Sequence, residues 1–326
     1  MERREFIKRV GAAGLAITSS VAGAAWLYDP RSGAEYFRNR ESQKAKTLRS
    51  YHVDRAQGAV DMAIVRGKDP EKMMRTGLGE MGGIGLFIQK GDIVVIKPNV
   101  AFDRPPALGA TTNPDVLKAV ALLCREAGAR KVIVADNPVN QPEGCFFKSG
   151  IQQAALEAGA EVMLPRESAF LPVKIGGEVL KTWSMFYRPF EQATKVIGVA
   201  PCKDHNLCSA SMTMKNWYGL LGGRRNQFHQ QIHKVIADFP HMIKPTFVVL
   251  DATRILMHNG PTGGRLSDVS EGNTLVIGTD MVAVDTFGYT LLGRDPDKLD
   301  YLHLAETRGL GSTKWKEQNW REVQTG

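Results

Sequence analysis

Cysteine is scarce in this chain of 326 residues, and its spacing excludes the common cysteine-built metal sites. The four cysteines are Cys124, Cys145, Cys202 and Cys208. Because no two form a Cys-x-x-Cys pair, neither a zinc ribbon nor a ferredoxin-type cluster is encoded locally. Cys202 and Cys208 can pair in an oxidising compartment, although sequence alone does not fix connectivity. The spacing argues against an iron–sulfur cluster, while a metal ion of another kind stays open.

Dense blocks of basic residues and long apolar runs are also absent beyond the first 28 residues. The formal net charge of +8 is spread thinly, whereas nucleic-acid-binding proteins cluster Lys and Arg on one face. No later run is long enough to cross a bilayer. Nucleic acid is therefore not an expected partner, and the mild basic excess favours either a mildly basic surface or a site for a small acidic ligand.

The N-terminus carries the pattern of a twin-arginine export signal. Arg3 and Arg4 precede a mildly apolar stretch at residues 10–21, and Ala22-Gly23-Ala24 is a small-x-small cleavage site. This pattern predicts export to the periplasm, or another extracytoplasmic compartment, by the twin-arginine translocase. Residues 10–28 also reach the length of a membrane span, so an uncleaved anchor is the alternative. We expect membrane contact through this segment only.

The chain is predicted to divide into a signal, a linker and one domain. The signal occupies residues 1–24, and residues 25–55 are polar and basic enough to form a linker. Hydrophobic residues make up 43% of the chain, which is sufficient for a sizeable core over residues 56–326.

Beyond the linker, short apolar runs alternate with segments of helical periodicity. Strands are predicted at 62–65, 93–96, 132–135, 161–164, 195–199, 247–250 and 274–277, and helices at 70–78, 114–127, 150–158, 212–221, 228–239, 280–292 and 296–307. This alternation predicts an α/β fold with a mainly parallel sheet flanked by helices. Residues 165–192 are less regular and predict a small irregular or hairpin insertion.

Polar residues follow the predicted strands. The groups that come directly after a strand are Lys97 with Asn99, Asp136, Cys202–His205, Asp251 and Asp280. Because ligands bind beyond the carboxyl ends of parallel strands, we expect one shared site there; ordinary polar turns are the alternative. The residues expected to bind a ligand or cofactor are Lys97, Asn99, Thr111, Thr112, Asp136, Asn216, Asp251 and Asp285.

A helix start and an apolar-flanked carboxylate belong to this expected site. Thr111 and Thr112 open a predicted helix, where hydroxyls and free N–H groups can form an anion cradle; a simple N-cap is the alternative. Asp285 lies among apolar residues, so its carboxylate needs a partner. Lys203, Lys215 or a metal are the candidates.

The densest polar stretch, residues 201–226, supplies the expected catalytic groups. Lys203 and Lys215 lie among apolar residues, which lower the pKa of an amine and let it act as a base. His205 can do the same near neutral pH. Arg224 is expected to join the two lysines in a positive pocket.

His229 and His233 are four residues apart on a predicted helix, so both side chains point the same way. This spacing can bind a metal, but the Glu of a His-Glu-x-x-His motif is missing. A pair of ordinary polar histidines is the alternative.

Seven motifs occur in an order that resembles one family. They are Ile96-Lys97-Pro98-Asn99, Thr111-Thr112-Asn113-Pro114, Asp136-Asn137-Pro138, Pro201-Cys202-Lys203-Asp204-His205, Met214-Lys215-Asn216-Trp217-Tyr218-Gly219, Asn259-Gly260-Pro261-Thr262-Gly263 and Gly278-Thr279-Asp280-Met281-Val282-Ala283-Val284-Asp285. The chain resembles the domain of unknown function 362 family over about residues 60–310. The resemblance implies an α/β domain with no settled activity. Members are often described as iron–sulfur proteins because many carry an appended ferredoxin-like module, which this sequence does not contain.

Together these patterns predict an exported, metal- or cofactor-dependent enzyme that acts on a small, acidic ligand at the strand ends. A folded passenger of the twin-arginine route can carry a cofactor loaded in the cytoplasm. Two alternatives remain: a non-catalytic binding protein for a small anion, and an accessory protein to a periplasmic redox enzyme.

Overall fold

A computed structural model describes residues 44–54 and 57–326, in which a nine-stranded mixed sheet carries helices on both faces. The strands, including a separate hairpin of β5 and β6, are β1 Met62–Arg66, β2 Ile93–Lys97, β3 Lys131–Ala135, β4 Glu161–Met163, β5 Phe170–Lys174, β6 Thr182–Phe186, β7 Lys195–His205, β8 Ser209–Ser211, β9 Phe247–Leu256, β10 Val269–Gly278 and β11 Trp320–Gln324. The predicted signal lies outside the described residues.

Nine α-helices occur in the described part of the chain. They are α1 Pro70–Glu80, α2 Ile84–Phe87, α3 Pro114–Glu126, α4 Pro142–Lys148, α5 Ile151–Glu157, α6 Thr213–Asn216, α7 Ile232–Met242, α8 Met281–Leu291 and α9 Asp300–Thr307. Short 3-10 turns lie between them, at Pro106–Leu108, Glu167–Ala169, Arg188–Phe190, Trp217–Leu220, Arg225–Gln231, Leu266–Asp268, Pro296–Lys298 and Trp315–Glu317.

The sheet has the strand order β11-β1-β10-β9-β7-β2-β3-β4, and β8 pairs with the far end of β7. The five strands from β9 to β4 are mutually parallel, whereas β10 runs antiparallel to both of its neighbours. The α/β fold is therefore confirmed. The β5–β6 hairpin confirms the predicted insertion.

Alternate residues of the central strands enter two separate cores. In β2, Val95 packs into one hydrophobic cluster while Val94 and Ile96 pack into the other. Because both faces are covered by helices, a central strand must be apolar on both sides. The first polar side chains therefore appear where a strand ends, and this positions the site.

One strand end does not belong to the shared edge. Since β10 is antiparallel to β9, its last residue, Gly278, is paired with Val248 near the start of β9. Asp280 thus lies at the opposite edge of the sheet, where it caps α8 by accepting from the N–H groups of Val282 and Ala283. Including Asp280 in one common site was wrong, because apolar composition does not reveal strand direction.

The packed part of the chain begins before residue 56, where the linker was predicted to end. The N–H of Lys46 donates to the Pro172 carbonyl at 2.8 Å, and Tyr51 is buried. Leu48 is buried as well, and these apolar contacts fix a segment that looks polar in sequence. Among residues 44–54 and 57–326, no helix combines the length and the apolar character that crossing a bilayer requires.

Candidate functional site

A buried ion pair lies at the centre of the strand-end edge. Lys97 ends β2 and Asp136 follows β3, the adjacent parallel strand, so that the Nζ and Oδ1 atoms are 2.5 Å apart. The Lys97 ammonium also donates to the Pro98 carbonyl at 2.7 Å and to Oδ1 of Asn216 at 3.0 Å. Burial lowers the pKa of Lys97, and Asp136 opposes that shift. With three oxygen acceptors, this ammonium is fully used within the protein.

Asn216 joins α6 to two strands of the sheet. Its Oδ1 accepts from Lys97 and from Nδ2 of Asn99, and its Nδ2 donates to the carbonyls of Lys97 and Val199. The backbone at Gly219 also passes close to Asp136, since a Cβ added there would lie 2.6 Å from Oδ1 of Asp136. A glycine is therefore required beside the ion pair.

Lys203 is buried beside this network without a carboxylate in contact. Its Nζ donates to the Ala110 carbonyl at 2.5 Å and to Oδ1 of Asn99 at 3.4 Å. The Phe102 ring centroid is 5.2 Å from Nζ. Burial, and then the charge of Lys215, lower the pKa of Lys203 well below its ordinary value.

Lys215 and His205 complete the expected catalytic trio. Lys215 is half-buried, its Nζ lies 5.3 Å from the Tyr218 ring centroid, and this ammonium has no hydrogen bond to the described residues. Burial lowers its pKa, and the charge of Arg225 adds to that. His205 accepts the Leu207 N–H at Nδ1, so the neutral ring carries its proton on Nε2.

The electrostatic surroundings oppose the expected role of His205 as a base near neutral pH. Burial, followed by the charges of Lys215 and Lys203, lowers the pKa of His205 to about 2. The ring is therefore neutral under ordinary conditions, and its Nε2–H is a hydrogen-bond donor without a partner in the described part of the chain.

The arginine of the cluster is Arg225 and not the expected Arg224, which is exposed. The Arg225 guanidinium donates to the carbonyls of Asn137 at 3.0 Å, Gly219 at 2.9 Å and Pro138 at 2.8 Å. Neutral carbonyls hold it, so its charge is not cancelled. Arg224 and Arg225 are adjacent and belong to no helical or strand periodicity, so the sequence does not show which of the two side chains enters the site.

The anion cradle expected at the start of α3 is occupied by the protein itself. The Thr112 hydroxyl donates to the Val199 carbonyl at 2.8 Å, and the Asn113 N–H donates to Oδ2 of Asp251 at 2.7 Å. Asp251 also accepts from Thr253. Thr112 and Asp251 therefore hold the loop in place, whereas the buried Thr111 hydroxyl has no partner in residues 44–54 and 57–326.

Asp285 does not pair with Lys203, Lys215 or a set of metal ligands. Its carboxylate accepts from the N–H and hydroxyl of Thr213 at 2.8 and 2.5 Å and from the Met214 N–H at 2.9 Å. It thereby fixes the first turn of α6, which carries Lys215. Burial raises the pKa of Asp285 to about 7. The partners of this carboxylate are two backbone N–H groups and the Thr213 hydroxyl, and the sequence pattern does not indicate these contacts.

The two histidines expected to bind a metal lie on different elements. His229 is in the 3-10 turn Arg225–Gln231 and stacks on Tyr218, whereas His233 is on α7 and stacks on Tyr301. The predicted continuous helix breaks at Ile232, so the four-residue spacing no longer aligns the rings. Among the described residues, no three His, Cys, Asp or Glu side chains come together as metal ligands.

All four cysteines are buried and free. Cys202 lies against the Gly288 carbonyl and Cys208 against that of Ala210, so the two do not pair. Burial raises the pKa of Cys208 to about 11, which keeps its thiol protonated and poorly reactive. The sequence did not point to Phe102, and it gave no role in the site to Gly219, which lies in a family motif, or to Arg225, which lies in the stretch 201–226; tertiary contacts bring all three to the site.

Comparison with known proteins gives one family match and several distant likenesses. The family described as Domain of unknown function (DUF362) matches residues 94–290, more than half of the chain. A thylakoid-associated protein of Synechocystis sp. is 27% identical over 254 residues, which cover 74% of this chain and 75% of that protein.

Two solved structures are similar at low TM-scores. A Thermotoga maritima protein gives a TM-score of 0.36 at 14% identity, covering 74% of this chain and 60% of its own. The lactate racemase apoprotein from Thermoanaerobacterium thermosaccharolyticum gives 0.37 at 12% identity, covering 81% and 62%. This chain thus spans about three-fifths of either length, and at these scores neither likeness carries an argument about its activity.

Asp285 should make stability depend on pH. Its pKa is raised to about 7, so between about pH 4 and pH 7 the folded protein holds a proton that the unfolded chain has released. The contribution of Asp285 to the free energy of unfolding should therefore fall as pH rises through this window, by an amount on the order of 2–4 kcal/mol. Urea unfolding at several pH values measures the slope.

Asp285→Asn should flatten that slope, because the amide keeps an acceptor for Thr213 but does not titrate. Asp297→Asn, at an exposed aspartate, is the control and should leave the slope as it is in the unmodified protein. An unchanged slope in Asp285→Asn would contradict the assignment.

Proposed function

The chain belongs to the family described as Domain of unknown function (DUF362), as its motifs predict, and on that premise we propose that its strand-end site binds a small anionic ligand. One observation carries the proposal. The ammonium of Lys215 is half-buried and has no hydrogen-bond partner in the described part of the chain. A partly buried charge without a protein acceptor is costly, and an anionic ligand can complete its contacts.

Positive charge exceeds negative charge around this ammonium. Lys203 and Arg225 contact only neutral oxygens, and Lys97 already engages the Asp136 carboxylate. Burial lowers the pKa of Lys215, and the uncancelled charge of Arg225 lowers it further. A bound anion would offset both effects, since an opposite charge favours the protonated form of an amine.

Carboxylate and phosphate oxygens are the groups that match these donors. Lys215 offers a charged donor, and His205 offers a neutral donor at Nε2 because its Nδ1 is already used. Hydrogen bonds between an ammonium and an anionic oxygen are among the strongest in proteins. His229 stacks on the Tyr218 ring, over which the Lys215 ammonium also lies, and its neutral ring carries one further N–H donor.

A second function, proton transfer on the bound ligand, is favoured by the surroundings of Lys203. A neutral amine has two N–H groups, and the oxygens of Ala110 and Asn99 accept both. The lone pair is then free to take a proton, and the lowered pKa makes the neutral form accessible. Lys203 would be the base.

Lys215→Met tests the binding proposal, because Met keeps most of the length of the side chain and removes its charge. We expect affinity for citrate or inorganic phosphate, measured by calorimetry, to fall about tenfold or more. Binding to the unmodified protein should weaken as pH rises and Lys215 loses its proton. Lys174→Met, at an exposed lysine of the β5–β6 hairpin, is the matched control. Equal affinities in the two variants, or no binding of either anion, would contradict the proposal.

Lys203→Met tests the proton-transfer function. Deuterium uptake from D2O into the carbon next to the carboxylate of a bound acid, followed by proton NMR, should fall by about 100-fold or more, while binding of that acid persists. Exchange that survives in Lys203→Met rules out Lys203 as the base. If the unmodified protein exchanges no bound acid, the site binds its ligand without this chemistry.

Export by the twin-arginine route is also proposed, and Arg3 with Arg4 supports it. A chain carrying both Arg3→Lys and Arg4→Lys should stay in the cytoplasmic fraction, because the route reads the arginine pair. Immunoblotting of cell fractions measures this. A periplasmic fraction equal to that of the unmodified chain would refute the route.

A further inference from the structure

The large apolar side chains that remain exposed are gathered on one edge of the protein. Five such residues occur in the described part of the chain: Val139, Phe147, Leu156, Leu207 and Leu266. All except Leu156 belong to the loops and the short helix that follow the carboxyl ends of β3, β7 and β9. Single exposed apolar residues are normal, but four of five on one edge are not what an even scatter gives.

Hydrogen bonds and an ion pair connect these segments through the loop that follows β2. The Val139 N–H donates to the Ala101 carbonyl at 2.9 Å, and Lys148, next to Phe147, pairs with Asp103 at 3.0 Å. The 3-10 turn that begins at Leu266 packs against Pro106–Leu108 of the same loop. Three of the four apolar side chains are thereby tied to one neighbour.

Leu207 extends the row at the tip of the β7–β8 hairpin. The adjacent Asn206 N–H donates to the Gly260 carbonyl, which links this tip to the loop that carries Leu266. The strands β9, β7, β2 and β3 are consecutive neighbours in the sheet, so their loops follow one another at about 4.8 Å per strand. The four side chains form a row and not a closed pocket. We call this row, with Val139, Phe147, Leu207 and Leu266, the apolar rim.

Basic side chains accompany the apolar rim. At the surface of the segments that carry the rim lie the basic residues Arg104, Lys148 and Arg265, with Arg224 on an adjoining loop, and the acidic residues Asp103 and Glu143; Asp136 and Asp268 on these segments are buried. The Arg225 side chain donates to the carbonyls of Asn137 and Pro138, which holds the loop of Arg224 against the loop of Val139. The rim therefore combines protruding apolar groups with an excess of positive charge.

We propose that the apolar rim docks the domain onto an anionic lipid bilayer. Apolar side chains that protrude among basic residues can enter the headgroup region while the basic groups attract acidic lipids. Charge complementarity selects this occupant, because a second copy would bring the same positive edge against itself. Docking in this way would turn the strand-end site toward the membrane surface, which goes beyond the proposed binding of a small anion.

An environment-sensitive nitrobenzoxadiazole label on the full-length protein tests the orientation. Leu266→Cys places the label on the apolar rim, and Leu156→Cys is the matched control at an exposed leucine away from it. The four native cysteines are buried, so labelling is selective. With vesicles of equal parts phosphatidylglycerol and phosphatidylcholine, emission at position 266 should rise and shift to shorter wavelength, whereas emission at position 156 should not. Val139→Cys is a second rim position and should behave like 266.

Unlabelled protein supplies the affinity. A double variant with Leu207→Ser and Leu266→Ser should partition onto these vesicles about tenfold more weakly, and Leu156→Ser should partition as the unmodified chain does. Added salt should weaken binding. The proposal is overturned if the protein does not bind the vesicles, or if it binds them without changing the emission of either label. It is also overturned if emission rises at position 156, or if emission at position 266 rises without vesicles because two copies of the protein meet. Binding without a change in the emission of either label would assign vesicle binding to another part of the chain.

Discussion

The contact between Lys97 and Asp136 is the constraint on which the rest of the site depends. Both side chains are almost fully buried, and removing two charges from water costs several kcal/mol each unless they meet in good geometry. The parallel register of β2 and β3 supplies that geometry, since it brings Lys97 beside the residue that follows Ala135. Every other group of the site is arranged around this satisfied pair.

Satisfying the central pair has consequences for the surrounding groups. Asn216 must approach closely enough to accept from Lys97, which fixes α6, and Gly219 must lack a Cβ for the chain to pass Asp136. Asp285 fixes the start of α6 by accepting from the N–H groups of Thr213 and Met214. Lys215 thus lies on a short helix held at both ends, and among the site lysines Lys97, Lys203 and Lys215 its ammonium alone has no hydrogen-bond partner in the described residues. Pre-organisation of this kind suits recognition, because a fixed donor loses little entropy when a ligand binds.

Sequence patterns were most reliable where burial is symmetrical. The runs at 93–96 and 132–135 are apolar because both faces of a central strand are covered, and both strands form close to the predicted bounds. The helix start at Asn113 was readable as well, since its side chain caps the Asp115 N–H locally. Patterns failed where the outcome depends on a distant partner. Nothing near Asp280 shows that β10 runs antiparallel, and nothing near His229 shows that the helix begins only at Ile232.

The sequence by itself determined the α/β class, the family and which residue types occupy the strand ends, because these follow from local periodicity and ordered motifs. Tertiary structure alone decided which of those residues meet. It brings Lys97, Asp136, Lys203 and Lys215 close together and places Asp280 at the opposite edge of the sheet. It also places His229 and His233 on different elements and directs Arg225, not Arg224, into the site. The physical reason is that strand direction and packing, which bring distant residues into contact, are set by the whole sheet and its two cores.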